Sequence, residues 1–215
     1  MTDLDVSNNS ITFISHVYRL CQLKTLRIGK IKLTLDENNI VQFESTGVMD
    51  SLESLNLNGN QISTLDCSPF PQLTTLLLDR NRFTSCNDLY DLPVLKLLSL
   101  DDQQITSVNA HETLKNVCDI SLAGNPLVNL NDIKVQRFRS VCLSSINALQ
   151  VPDFVLAQIQ LETLNLNMNC IEDISCIGQL VTLKQLYLAD NKISEIGMVC
   201  RTIASLHSLL ALNME

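Results

Sequence analysis

Leucine and isoleucine recur along this chain in one spacing. Apolar residues occupy positions one, four, six and eleven of a template, and an asparagine occupies position nine. The pattern is clearest in Leu161–Ile171, LETLNLNMNCI, and it returns in Leu183–Ile193 and, earlier in the chain, in Leu52–Ile62. Apolar residues two apart with polar residues between them predict a short strand with one buried face. The chain is therefore predicted to be a row of similar units.

An asparagine, or a residue in its place, marks each unit. The marked positions are Asn9, Asn38, Asn60, Asn81, Gln103, Asn125, Asn147, Asn169 and Asn191. From Gln103 onward every step is 22 residues. The amide both donates and accepts hydrogen bonds, so it can satisfy backbone groups of the turn in its own and the next repeat. We interpret this column as structural. Apolar residues at intervals of three between the strands predict short helical segments.

The first irregular stretch covers residues 24–39. Ile31 falls where the template requires Asn, and the pattern resumes at Asn38, about 29 residues after Asn9. One prediction is a single lengthened repeat. The alternative is a small hairpin, TLRI-GK-IKLTL, that turns at Gly29–Lys30.

The second irregular stretch covers residues 139–152. Asn147 lies on the 22-residue grid, but Cys142 and Ser144 then hold the apolar strand positions. On that 22-residue grid, Val141 and Leu143 would take outward positions on the concave face. In a shifted register, four apolar residues take the buried positions instead: Phe138, Val141, Leu143 and Ile146. We expect this unit to be the weakest of the array.

The last residues predict a final strand through Leu209, Leu212 and Met214. No polar capping unit follows them in this sequence, and solenoids need their terminal apolar faces covered. We therefore expect a truncated last repeat whose apolar end packs on further sequence or on a partner.

The template L-x-x-L-x-L-x-x-N-x-I resembles the leucine-rich repeat. Units of 22 residues resemble the intracellular subclass typified by the regulatory subunit of protein phosphatase 1, which axonemal and ciliary repeat proteins share. The resemblance covers nearly the whole chain. It implies an α/β fold, a right-handed solenoid or horseshoe with a parallel concave sheet and short helical or 3-10 segments on the convex side. It also implies that residues 1–215 form a single domain of about nine or ten repeats.

Charge narrows the classes of partner. The net charge is −8, and the only basic run is Lys134, Arg137 and Arg139, which we interpret as a solvated outer face. A protein that contacts nucleic acid directly needs a basic stripe, so direct nucleic-acid binding is not expected. An RNA-processing scaffold that acts through a protein partner remains an alternative function.

The eight cysteines are scattered, without a paired spacing, and we interpret them as free thiols in a reducing compartment. No signal peptide follows Met1, and no apolar run reaches the length of about 18 residues that a membrane span needs. We expect a cytoplasmic protein, with the cilium, the cytoskeleton or the nucleus left open.

No catalytic motif is present. His16, His111 and His207 fall in separate predicted convex segments, and Cys170 and Cys176 have no histidine close by in the sequence. We therefore predict that the chain is not an enzyme and that it has no cofactor and no metal site.

The outward positions of the concave strands are the candidate site. Acidic residues predominate there without matching bases: Asp3, Asp5, Asp36, Asp79, Asp101 and Asp119, with Asp102 beside them. Leu77 and Leu97 lie on neighbouring strands and are predicted to form an apolar patch, and Tyr187 lies further along. The predicted partner-binding residues are Asp36, Leu77, Asp79, Leu97, Ser99, Asp101, Asp119, Asn165 and Tyr187.

This surface predicts a scaffold that binds a protein with a basic or mixed-charge surface. The resemblance implies a phosphatase catalytic subunit or a cytoskeletal or axonemal protein as its partner. Two alternatives stay open. The aspartates could simply keep the sheet soluble, and the repeats could be a structural segment of a larger ciliary, cytoskeletal or signalling protein.

Overall fold

The computed structural model describes residues 3–14, 31–45, 47–86, 89, 91–108, 114–128 and 137–215. Ten short strands in this part of the chain form one parallel sheet, each beside the strand of the next repeat. They are β1 (Asp3–Asp5), β3 (Ile31–Thr34), β5 (Leu52–Asn56), β6 (Thr75–Leu77), β7 (Leu97–Ser99), β8 (Asp119–Ser121), β9 (Ser140–Cys142), β10 (Thr163–Asn165), β11 (Gln185–Tyr187) and β12 (Ala211–Asn213). A second parallel sheet pairs β2 (Phe13–Ile14) with β4 (Gln42–Phe43).

Helical segments connect some of the strands on the opposite side. They are α1 (Asp153–Leu156), a 3-10 helix (Ser175–Gln179) and α2 (Ile196–Ser205). The buried residues of α2 are Met198, Val199 and Thr202, so this helix lays one face on the core. The arrangement confirms the predicted α/β solenoid with a parallel concave sheet and short helical segments.

The core is one apolar column that runs along the array. Inward strand residues such as Leu55, Leu98 and Leu164 have no exposed surface. They all belong to a single buried cluster. Each fully buried leucine stabilises the fold by about 1.5–3 kcal/mol. Because every repeat contributes to the same column, each one covers the apolar face of its neighbour.

The asparagines form a ladder of hydrogen bonds between repeats. Asn60 Oδ1 accepts the N–H of Ile40 at 2.9 Å, while its Nδ2 donates to the carbonyl oxygens of Leu57 and Leu35, both at 3.0 Å. The amide thus connects its own repeat to the preceding one, not to the next one as predicted. Equivalent bonds form at five further asparagines: Asn38, Asn81, Asn125, Asn169 and Asn191.

Gln103 replaces asparagine in this ladder. Its Oε1 accepts the N–H of Phe83 at 3.0 Å, and its Nε2 donates to the carbonyl oxygen of Leu78 at 2.6 Å. Its side chain is 1% exposed. The longer side chain therefore reaches the same groups of the preceding repeat.

The residue before each ladder position has a left-handed backbone. Its φ lies between 50° at Glu37 and 65° at Gly124. Non-glycine residues pay about 1 kcal/mol or more for this conformation. It recurs at nine positions: Asn8, Glu37, Gly59, Arg80, Asp102, Gly124, Ser145, Met168 and Asp190. The left-handed residue turns the chain so that the next side chain points inward.

The first irregular stretch contains an ordinary sheet strand. β3 pairs in parallel with β1, which places Leu33 beside Leu4, and with β5, which places Leu33 beside Leu55. This pairing is the one that the lengthened repeat predicts. The Gly29–Lys30 turn of the alternative hairpin lies outside the described residues.

The second irregular stretch adopts the shifted register. Val141 pairs with Leu164 of β10, and both Val141 and Leu143 are fully buried. The outward assignment of these two residues on the Asn147 grid is therefore wrong. Ile146 occupies the ladder position, and Asn147 is exposed. Ile146 has no side-chain amide, so the N–H of Leu127, the counterpart of the Ile40 N–H, donates instead to the carbonyl oxygen of Asn125 at 2.9 Å. Asn169 Oδ1, in the next repeat, accepts the N–H groups of Ile146 and Ala148, at 3.2 and 2.9 Å.

β12 forms beside β11, as the last apolar residues predict. Leu212 occupies the inward position of this strand and is 42% exposed, whereas Leu186, its partner on β11, is fully buried. Leu212 is more exposed because the repeat of β12 packs against a neighbouring repeat on one side only.

Asn60→Ala should lower the free energy of unfolding by about 1–3 kcal/mol, because it leaves the buried N–H of Ile40 without its acceptor. The carbonyl oxygens of Leu35 and Leu57 keep one amide donor each, from Asn38 and Asn81. Urea unfolding followed by circular dichroism measures the change. Asn39→Ala is the matched control, since Asn39 is exposed and its Oδ1 meets Gln61 Nε2 at 3.5 Å. Equal midpoint shifts for the two variants would show that the ladder does not stabilise the array.

Burial raises the pKa of the Cys67 and Cys86 thiols to about 12. We expect both to resist iodoacetamide near pH 8 in the folded protein, because the thiolate is the reactive form. The exposed Cys200 should react under the same conditions, and all three should react in urea. Mass spectrometry of the digested protein reads each site separately, and native labelling of Cys86 at the rate of Cys200 would contradict the buried core position.

Candidate functional site

Side chains on the concave face fall into three columns that run across the strands. The strand-start column contains Asp3, Lys32, Ser54, Thr75, Leu97, Asp119, Ser140, Thr163, Gln185 and Ala211. The strand-end column contains Asp5, Thr34, Asn56, Leu77, Ser99, Ser121, Cys142, Asn165, Tyr187 and Asn213. The turn column follows two residues later and contains Ser7, Asp36, Asn58, Asp79, Asp101, Ala123, Ser144, Asn167 and Ala189.

Leu77 and Leu97 form the apolar part of this face. Leu77 pairs with Ser99, and Leu97 pairs with Thr75, so the two leucines lie diagonally on neighbouring strands. Both side chains are half-buried. Diagonal neighbours in a sheet are within reach of each other's side chains. The two half-buried leucines therefore lie close enough to form one apolar spot on the concave face.

Asp79 is held by the repeats on both sides. Its Oδ1 accepts the hydroxyl of Ser99 at 2.6 Å and the N–H of Asp101 at 2.9 Å. Its Oδ2 accepts Asn58 Nδ2 at 3.2 Å, and Asn58 Oδ1 in turn accepts the N–H of Asp79 at 2.6 Å. This carboxylate has a structural role between three repeats in addition to any role at the surface.

The same bond recurs along the turn column. Asp101 Oδ1 accepts the N–H of Ala123 at 2.8 Å, and Asn167 Oδ1 accepts the N–H of Ala189 at 2.8 Å. A short side chain in this column thus accepts the backbone N–H of the next repeat. We call this series the turn ladder. The sequence does not predict this series, although Asn58, Asp79 and Asp101 at one position of three consecutive repeats are a signal for an acceptor of fixed length.

The environment of Asp101 disfavours its charge. Burial raises the pKa of the Asp101 carboxyl above its ordinary value, and repulsion from Asp79 and Asp102 adds to the rise. Hydrogen bonds from Ser121 and from the Ala123 N–H act in the opposite direction. Asp79 and Asp101 are therefore two neighbouring, half-buried carboxylates on one side of the apolar spot.

Asp119 has a basic partner. Arg139 Nη2 lies 2.8 Å from Asp119 Oδ2. Arg139 directly precedes β9 and reaches the concave side, so its assignment to a solvated outer face is wrong, as is the expectation that Asp119 lacks a matching base. Two further ion pairs join different repeats: Glu162 pairs with Lys184 of the next repeat, and Glu37 pairs with Arg80 two repeats further along. Exposed pairs of this kind contribute about 1 kcal/mol or less to stability.

The remaining predicted residues are spread along the array. Asp36 is half-buried, and its carboxylate has no hydrogen-bond partner within the described ranges. Asn165 Oδ1 accepts the N–H of Asn167 at 3.0 Å. Tyr187 is half-buried and lies between Asn165 and Asn213 on the neighbouring strands. The structure thus brings together Leu77, Leu97, Asp79, Ser99 and Asp101, and it separates Asp36 and the Asn165–Tyr187 pair from them.

Within the described ranges, no group of three potential metal ligands comes together. The same part of the chain has no helix long and apolar enough to cross a bilayer. His207 is exposed after α2, and His16 and His111 lie outside the described residues. Seven cysteines are described, and all of them are free thiols.

Two protein-family models match parts of the chain that contain these repeats. A model described as leucine-rich repeats in two copies matches residues 159–214, and a leucine-rich repeat model matches residues 51–73. The likeness to the phosphatase regulatory subunit and its subclass stays a prediction.

Two curated proteins are similar in sequence. The septation initiation network scaffold protein cdc11 of Schizosaccharomyces pombe is 28% identical over 155 residues, which cover 70% of this chain and 15% of that protein. Tubulin-folding cofactor E of Arabidopsis thaliana is 32% identical over 160 residues, which cover 69% of this chain and 27% of that protein. The chain thus spans 15% and 27% of the lengths of these relatives.

Solved structures show the same fold. A leucine-rich repeat protein of Leptospira interrogans matches with a TM-score of 0.72 and 23% identity, over 100% of this chain and 60% of that one. Internalin C2 of Listeria monocytogenes matches with a TM-score of 0.62 and 24% identity, over 100% of this chain and 80% of that one. The repeated template, the asparagine ladder and these matches together identify the chain as a leucine-rich repeat protein.

Proposed function

We propose that this chain is a non-catalytic scaffold that binds another protein through its concave sheet. The observation that carries the proposal is the apolar spot of Leu77 and Leu97, flanked by the carboxylates of Asp79 and Asp101. Exposed apolar side chains framed by polar ones are typical binding anchors. The carboxylates favour a partner with a basic or mixed-charge surface, which they would attract and orient.

The names of the two relatives support a role in protein assembly. One relative is named as a scaffold protein and the other as a folding cofactor of tubulin. We propose a cytoplasmic partner that is itself a protein, such as a phosphatase subunit or a cytoskeletal protein. Direct contact with nucleic acid does not fit the net charge of −8.

A second role follows from the share of each relative that the chain matches. Because this chain spans 15% and 27% of the two relatives, a leucine-rich repeat array of this kind is one segment of a longer protein in both. The repeats would then dock on another part of the same polypeptide. The concave residues that bind would be the same, so the same variants test both roles.

Leu77→Ser combined with Leu97→Thr should abolish partner capture. Neighbouring repeats already carry Ser99 and Thr75 in the same two columns, so the strands should keep their pairing. We expect affinity to fall about a hundredfold or more, since each of the two anchor residues contributes about 1.4 kcal/mol or more. Pull-down from lysate with mass spectrometry identifies the partner, and titration with the purified partner measures the loss.

The matched control is Val181→Thr. Val181 is 59% exposed and precedes β11, outside the three concave columns. This variant should keep the partner at wild-type affinity. A partner that survives the double leucine substitution in a protein with a native circular dichroism spectrum would place the binding surface elsewhere.

Charge at Asp101 can be removed without breaking the turn ladder. Asn58 and Asn167 form the same bond with an amide oxygen, so Asp101→Asn should keep the bond to Ala123, whereas Asp101→Ala should lose it. The raised pKa of Asp101 means that the folded state holds its proton more tightly than the unfolded chain. This carboxyl therefore lowers stability as pH rises from its ordinary value of 3.8 through its folded pKa.

We accordingly expect Asp101→Asn to be at least as stable as wild type at pH 7, with a smaller advantage below pH 4. Asp101→Ala should be less stable than Asp101→Asn at both pH values, because the Ala123 N–H loses its acceptor. Thermal unfolding of the three proteins at the two pH values measures this. An Asn variant as unstable as the Ala variant would contradict the turn ladder.

A further inference from the structure

Formal charge is distributed unevenly along the concave sheet. In the repeats of β3 to β7 the turn column carries Asp36, Asp79 and Asp101, against one base, Lys32, in the strand-start column of β3. From β9 to β11 the outward positions of all three columns hold only hydroxyl, amide, thiol, alanine and tyrosine side chains, and the next charge in the turn column is Glu215, after β12. Asp119 on β8 marks the boundary, and Arg139 neutralises it. The concave face therefore has an acidic half and an uncharged half.

Each half has its own anchor. Leu77 and Leu97 lie in the acidic half, and Tyr187 lies in the uncharged half. Four strand-to-strand steps separate β7 from β11. At about 4.8 Å a step, the two anchors are about 19 Å apart. About 13 residues of a helix or about six residues of an extended chain cover this distance.

The carboxylates of Asp79 and Asp101 both accept hydrogen bonds from the array itself. Asp79 already accepts the Ser99 hydroxyl, the Asp101 N–H and the Asn58 amide. A carboxylate offers about four lone-pair sites. A cation that approaches them is therefore held mainly by charge. It would also relieve the repulsion between Asp79 and Asp101.

We propose that the occupant of the concave face is one continuous segment that lies across the strands in a single direction. Its basic residues lie over Asp79 and Asp101, and its uncharged end lies over Tyr187. This inference rests on the proposed concave binding function and adds the polarity of the partner. The reversed segment would place basic side chains on an uncharged surface and leave the two carboxylates without a counter-charge.

The test uses a random phage-displayed peptide library, with peptides of about 16 residues so that both anchors can be reached. It is selected on the wild-type protein, on Asp79→Asn/Asp101→Asn and on Tyr187→Asn. The asparagine substitutions keep an amide acceptor in the turn ladder, as at Asn58. Tyr187→Asn copies the residues of the neighbouring strands, Asn165 and Asn213. Val181→Thr again serves as the control.

Wild type and the control should enrich peptides whose lysines or arginines cluster towards one end. Asp79→Asn/Asp101→Asn should lose this enrichment. Tyr187→Asn should keep the basic cluster and bind the selected peptides about tenfold more weakly, the usual loss for one aromatic anchor. Affinity for wild type should fall with added salt, and the double asparagine variant should show little salt dependence.

Direction is read with a nitroxide attached to the uncharged end of one selected peptide. It should broaden the Tyr187 amide signal in an NMR spectrum more than the Asp79 amide signal, and the opposite order overturns the inference. Basic enrichment that persists on the double asparagine variant overturns it as well.

Other outcomes separate the two proposals. Peptides that depend on Leu77 and Leu97 but carry no basic cluster overturn the polarity and leave concave binding intact. Peptides that bind every concave variant as well as wild type, or a selection that yields no binding peptide, overturn both.

Discussion

The hydrogen bonds of the buried amides are the constraint on which the rest of this structure depends. Each strand ends after about three residues, which leaves backbone groups exposed to the apolar core. A buried group without a partner costs about 1–3 kcal/mol, so one side chain per repeat must reach back to the preceding turn. Gln103 meets this requirement with a longer side chain. Ile146 does not meet it, and the N–H of Leu127 in the preceding turn donates to the carbonyl oxygen of Asn125 instead.

Backbone strain is a consequence of the same requirement. To direct the amide inward, the residue before it adopts a positive φ, even where it is arginine, methionine or aspartate, as at Arg80, Met168 and Asp190. Glycine fills the position only at Gly59 and Gly124. At both sites a carboxylate of the preceding repeat lies where a Cβ would be, Glu37 above Gly59 and Asp102 above Gly124. Close approach by a neighbour, and not the turn alone, explains glycine at these two sites.

The parts of the fold that sequence analysis predicts are those encoded within one repeat. Leucines at template positions one, four and six specify the strand, its buried face and the core, because side chains alternate along a strand. The turn ladder was not predicted, since its acceptor and donor lie in different repeats and the donor is a backbone group common to all residues. The ion pair of Arg139 with Asp119 depends in the same way on strands that meet only after stacking. In the unit around Asn147 two registers fit the local pattern, and only the pairing of β9 with β8 and β10 distinguishes them.

The turn ladder limits what the concave surface can vary. A residue in that column that accepts a bond from the next repeat must be short and must end in an oxygen, as Asn58, Asp79, Asp101 and Asn167 do. To change the partner that this array binds, asparagine could be exchanged for aspartate at these positions, which changes the charge of the surface but not its shape. Side chains of a different size or shape would have to be introduced in the strand-start and strand-end columns. At the positions of the turn ladder the side chain can therefore vary in charge but not in length, whereas the strand-start and strand-end columns can vary in both.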